Sequence, residues 1–120
     1  MRRVAFPRKQ RVLRVFYRDL EHGSAVSSLQ PESLLADRIV PLAERILQHA
    51  DNFIGVVDAA DVVLQAYPGD NPDSVILELV YPDDQGVLRR EMPRAEALAL
   101  LSELPEAFDE QLLPGAQYIG

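Results

Sequence analysis

Four aspartates in two turns are the first residues that could do chemistry. Asp58 and Asp61 flank an Ala-Ala pair, and Asp83-Asp84 follows a proline. If the intervening runs are strands of a meander, successive turns lie at alternate ends, so these two turns share one end. Four carboxylates gathered there suit a cation or a basic partner. The competing reading is conformational, because Asp is favoured in turns for the bonds it makes to its own backbone. Neither turn has the alternating oxygen ligands of an EF-hand loop, so a calcium site is not expected.

Other chemistry finds less support. His49, near the end of a helical stretch, is a candidate general base, but a His there also answers the helix dipole as a surface cap. His22 sits in a linker with no evident partner. Ser24, Ser27 and Ser28 lack a nucleophile-elbow context. No P-loop and no G-x-G-x-x-G is present. The chain has no Cys and two His, which removes disulfides, thiolate chemistry and a multi-histidine centre. No catalytic residue, cofactor or metal is therefore expected.

The elements that would position the aspartates lie in residues 53–92. Phe53–Val57, Val62–Tyr67, Val75–Tyr81 and Val87–Met92 are apolar runs separated by Asp-, Pro- and Gly-rich breakers, the pattern of four short strands joined by hairpins. Gly86 suits a positive φ closing the last hairpin. A register that sets even residues beside even ones places Glu78 with Arg90. It leaves Ile76, Val80, Leu88 and Met92 on the face away from the helices. Either the fourth run is an edge strand, or both faces of the sheet are partly covered.

Around this meander, Arg11–Arg18 is strand-like by its Val, Phe and Tyr content, with a helix as the alternative. Residues 23–28 read as a polar linker. Gln30-Pro31-Glu32 opens a helix whose buried stripe is Leu34, Leu35, Ile39, Leu42, Ala43, Ile46, Leu47 and Ala50. Pro41 interrupts it and predicts a kink near Val40, or two helices meeting there. Pro93-Arg94-Ala95-Glu96 opens a second helix, buried through Ala97, Leu98, Leu101 and Leu104. A short turn over 105–113 packs Phe108 and Leu112 down. The fold class is α+β, a four- to five-stranded antiparallel meander with helices packed on one face. The domain plan is a basic arm over 1–10, a single domain over 11–113 and a tail over 114–120.

Charge is polarised along the chain. Arg2, Arg3, Arg8, Lys9, Arg11, Arg14 and Arg18 give residues 1–18 a charge of +7 with no acid. The remaining 102 residues carry −14 within a net −7. An acidic body opposes phosphate binding, but it suits a basic protein partner or the arm itself. The arm, with Phe6, Phe16 and Tyr17 interleaved, supports the alternative of a nucleic-acid contact. A third class, a small enzyme with a carboxylate-based site, needs two carboxylates in a cleft beside a His. No apolar run approaches the roughly 20 residues that span a bilayer. Pro7 and the basic residues through Arg14 leave no signal-peptide core, so the expected compartment is the cytoplasm. The edge strand and the opposed charges suggest a homodimer.

The stretch Asn52–Phe108, NFIGVVDAADVVLQAY, a hairpin, then PRAEALALLSELPEAF, resembles small uncharacterised bacterial α+β domains, including immunity-type proteins that neutralise toxins. The resemblance rests on pattern, covers about half the chain and excludes the arm. It implies a binding role rather than catalysis and carries over no functional residue. The expectation is a non-enzymatic domain, immunity- or adaptor-like, that presents an acidic surface to a protein partner.

Overall fold

The structure is a computed structural model and describes residues 11–120. Its strands are β1 (Val12–Asp19), β2 (Ser24–Val26), β3 (Glu32–Leu35), β4 (Phe53–Val57), β5 (Val63–Pro68), β6 (Ser74–Val80), β7 (Val87–Pro93) and β8 (Gln117–Ile119). The helices are α1 (Ile39–Ile46) and α2 (Arg94–Ser102). All strands join one antiparallel, eight-stranded sheet ordered β2-β1-β4-β5-β6-β7-β8, with β3 also on β1. The α+β class and the meander β4–β7 stand as expected. The strand count of four to five does not.

Three short strands account for the difference. β2 lies in the expected linker, β8 in the expected tail, and β3 where a helix was expected to open. Their cause is the backbone of their neighbours. β1 has one edge taken by β4, and its other edge would be bare without β2 and β3, which bind it end to end. Tyr17 faces Val26 and Val15 faces Glu32, so residues 27–31 bulge out opposite Phe16. A helix beginning at Pro31 would have left that ladder unmade.

Pro41 consequently sits in the first turn of α1, which begins at Ile39 after a 3-10 turn over Ala36–Arg38. There its missing N–H has no intrahelical partner to lose, so no mid-helix kink arises. Ile39, Ala43, Ile46 and Leu47 are buried, Leu34 and Leu42 are half-buried, and Leu35 and Ala50 are exposed. In α2, Ala97 and Leu101 are buried and Leu98 is half-buried. Pro93 precedes this helix with an extended backbone and Leu104 is buried beyond its end.

The β6–β7 register corrects the expected one. Val80 lies opposite Val87 and Val75 opposite Met92, so odd residues face even ones. The apolar face of β6, Val75, Leu77 and Leu79, therefore continues into Leu88 and Met92, which lie under the helices. Glu78 lies opposite Arg89, not Arg90. β7 is not the final strand either, because β8 pairs with Val87–Arg89. Gly86 does not have positive φ; a Cβ there would come within 2.6 Å of the Ile119 carbonyl of β8. Among the described residues Gly23 and Gly115 are the glycines with positive φ, and Asp61, at φ 64°, is the one non-glycine residue that shares it.

The helices cover one face, α1 on β1 and β4, α2 on β6 and β7. On the opposite face Phe16 lies across Gly55, its cross-strand partner, and is 5% exposed. Gly55 supplies the only shape that admits the ring there, since an added Cβ would fall inside it. Leu77→Ala should destabilise the fold by about 2–5 kcal/mol, the usual range for a buried Leu. Gly55→Ala should also destabilise, by displacing Phe16, while Leu98→Ala costs less than Leu77→Ala because its side chain is only partly buried. Urea unfolding of the three variants checks this order.

Candidate functional site

The β4–β5 and β6–β7 turns do meet at one end of the sheet. Ala60 and Val62 from the first, with Tyr81 to Asp84 from the second, line a shared hollow of about 390 Å³. The four aspartates nevertheless have different tasks. Asp58 is 4% exposed, and its carboxylate accepts from the backbone N–H groups of Ala60, Val62 and Phe108 at 2.8, 2.9 and 2.9 Å. Asp61 pairs with Arg14 at 3.1 Å. Asp84 accepts from the Gly86 N–H at 2.9 Å and the Tyr118 hydroxyl at 2.8 Å. These two bonds, the Gly86 one foremost, hold its carboxyl below the ordinary range. Asp83 is exposed and makes no hydrogen bond or ion pair among the described residues.

Asp58 also brings in carboxylates that the sequence did not flag. Its bond to the Phe108 amide pins the segment after α2 against the β4–β5 turn. Phe108 and Leu113 are buried there, so the intervening residues are held on the surface. Glu106 borders a hollow shared with Arg11, Arg14 and Asp58. The Tyr81 hydroxyl donates to Glu110 at 3.3 Å. Burial first, then the Glu110 bond and charge and the charges of Asp109 and Asp58, raise the Tyr81 phenol above its ordinary value. Glu106, Asp109 and Glu110 thus join Asp61, Asp83 and Asp84 at one end. The available signal was the acid-rich run 103–110; the missing information was that Asp58 would reach it.

Of the basic residues singled out, Arg2, Arg3, Arg8 and Lys9 lie outside the described residues. The other three are committed to the body. Arg11 donates to the Leu104 carbonyl at 2.6 Å. Arg14 donates to the Asp58 carbonyl as well as to Asp61. Arg18 donates to the Asp51 carbonyl at 3.0 Å and lies 5.2 Å over the Phe53 ring.

Both histidines serve one joint, between the β1–β2 turn and the end of α1. His22 Nδ1 lies 2.9 Å from Asp19, which also accepts from Arg45 at 3.1 Å. His49 Nε2 lies 2.8 Å from Glu21. Asn52, 1% exposed, accepts from Leu20 N–H and donates to the Ile46 carbonyl, both at 2.9 Å. Burial opposes ionisation of Asp19, but the His22 hydrogen bonds and the His22 and Arg45 charges hold its carboxyl below the ordinary range.

The face away from the helices carries a closed polar network. Glu78, 5% exposed, accepts from Gln65 at 2.7 Å, from the Tyr67 hydroxyl at 2.8 Å and from Arg89 Nε at 2.7 Å. Burial works against its charge, yet the hydrogen bonds from Gln65, Tyr67 and Arg89 and the Arg89 charge hold the carboxyl low. Burial, followed by the bond to and charge of Glu78, pushes the Tyr67 phenol up to about 12. Among the described residues every buried polar side-chain atom has a partner.

Among the described residues no group of three His, Cys, Asp or Glu could hold a metal ion, and no helix is long and apolar enough to cross a membrane. No protein-family model, curated protein or solved structure matches this chain.

Three outcomes follow from these contacts. Asp58→Asn places an N–H₂ against one of the three donors; it should cost about 1–3 kcal/mol and speed hydrogen exchange at the Phe108 amide. Glu78 is depressed on folding, so its contribution is present above its unfolded value and is lost as pH falls through the folded one. Below the ordinary glutamate value of 4.5 the native chain should therefore lose stability more steeply than Glu78→Gln, as read from urea midpoints on an acid series. Tyr67→Phe should remove one late step, near pH 12, from the ultraviolet titration of the phenols.

Proposed function

We propose that this chain is a non-enzymatic binding domain, immunity- or adaptor-like, that offers its acidic end to a basic protein partner. The observation that supports this reading is the three-donor Asp58 contact, which ties the C-terminal segment with Glu106, Asp109 and Glu110 to the β4–β5 turn with Asp61, beside the β6–β7 turn with Asp83 and Asp84. Exposed carboxylates fixed on such a frame steer a cationic surface during encounter. The apolar walls of the hollow, Ala60, Val62, Tyr81 and Pro82, supply the centre that a steered partner would desolvate. The alternative in which residues 2–18 contact nucleic acid draws on fewer free cations than the sequence suggests, because Arg11, Arg14 and Arg18 are engaged within the body. A homodimer belongs to the same proposal and concerns a different part of the surface.

Affinity capture from the native host at low salt tests the reading. The native chain is compared with one carrying Asp61→Asn, Asp83→Asn, Glu106→Gln, Asp109→Asn and Glu110→Gln, and with a control carrying Glu44→Gln and Glu91→Gln. The expected result is a basic protein retained by native and control chains, lost from the first variant and released by salt, with association slowed about tenfold or more. Equal retention by all three, or capture of nucleic acid instead, overturns it.

A further inference from the structure

In an antiparallel ladder, residues whose N–H and C=O both face the neighbour alternate with residues whose groups both face away. In β3 this phase is fixed. The Ala36 N–H donates to the Arg11 carbonyl at 2.7 Å, two residues on from the Leu34–Leu13 pair and four from Glu32–Val15. Glu32, Leu34 and Ala36 therefore turn their backbones toward β1. Ser33 and Leu35 turn theirs outward, where no described strand lies.

The flanks of this edge are apolar on both sides. Leu35 is 43% exposed and its cross-strand neighbour Val12 is 59% exposed. On the helix side, Val15, Tyr17, Leu34, Pro41 and Leu42 line a groove of about 500 Å³ between β3 and α1. Bare backbone donors and acceptors bordered by apolar side chains are what an added strand covers.

We infer that the occupant is a second copy of this chain, joined antiparallel through β3 into one sheet across a twofold axis. Sheet continuity requires odd residues to face odd ones, and outward groups must meet outward groups. Setting Leu34 opposite Leu34 of the second copy satisfies both. Ser33 then lies opposite Leu35 of the second copy and the reverse, giving about four inter-strand hydrogen bonds. Sliding by one pair toward Ser33 on Ser33 brings in Pro31, which has no N–H to give.

The charges select the same arrangement. Glu32 and Arg38 border the same groove, and neither makes an ion pair among the described residues. With Leu34 on the axis, Glu32 faces Ala36 of the second copy, one short turn from its Arg38. Antiparallel pairing thus sets opposite charges together at both ends, whereas parallel pairing would stack Glu32 on Glu32. This edge is complementary to itself, which a strand from an unrelated partner would have no reason to match.

Sedimentation equilibrium of the full-length chain over a range of concentrations gives the test. The native chain should be dimeric. Ser33→Pro removes an outward N–H that β1 does not use, and Pro is tolerated at such edge positions; it should yield a folded monomer by circular dichroism. Glu32→Lys and Arg38→Glu should each weaken the dimer about tenfold or more. Mixing these two variants should restore it as a heterodimer. A native chain monomeric at every concentration, a dimer unaffected by Ser33→Pro, or single variants that mixing does not rescue overturns the proposal. The charge variants decide the matter if Ser33→Pro fails to fold.

Discussion

Three backbone N–H groups converge on the buried carboxylate of Asp58, and much of the molecule's end depends on that convergence. Two of the donors close the turn between β4 and β5; the third comes from Phe108, fifty positions on. A carboxylate removed from water must have its lone pairs answered, and here they are answered by the groups that otherwise would also need partners. The side chain thereby converts a local turn into a long-range tie. The placement of Phe108, and with it the acidic surface segment that follows α2, depends on that tie.

The two faces of the sheet are held by different physics. Under α1 and α2 the contacts are apolar, and their specificity is one of shape. On the other face Phe16 fills the gap left by Gly55, and the Glu78 cluster replaces a second hydrophobic layer with satisfied polar groups. A network of this type tolerates water at its margin without losing its internal partners, so that face is ordered without a covering helix. Arg89 remains partly exposed at its border, which limits the strength of its charge pair with Glu78.

Long-period features of the fold were legible in the sequence, and short-range parity was not. The meander strands and α2 announce themselves because runs of Val, Ile and Leu alternate with clusters such as Pro68–Asp73. β3 and β8 are mostly exposed, and β2 is only three residues long and nowhere fully buried, so none of them carries a burial rhythm that a sequence pattern could show. They exist because a neighbour's backbone needed partners, which is information held in the neighbour. The partner of Glu78 was missed by a single residue because the count of residues in the 81–86 connection decides which face every β7 side chain takes. The acidic end was half visible: its turns follow from meander geometry, while Glu106, Asp109 and Glu110 reach it only through a contact that no local pattern encodes.

The position of β1 bears on how the chain acquires its structure. Although it is the first strand among the described residues, it is interior to the sheet, with Arg14 beside Val57 on one edge and β2 and β3 on the other. The hairpin with β2 closes over a few residues, but the seam with β4 must wait for α1 and everything between. Loop-closure entropy makes such distant seams the slow ones, while β4 to β7 can zip through neighbouring hairpins. During synthesis the apolar residues of β1 therefore stay without their β4 partners until Phe53–Val57 has emerged, Leu13 and Val15 on the helix side and Phe16 on the other.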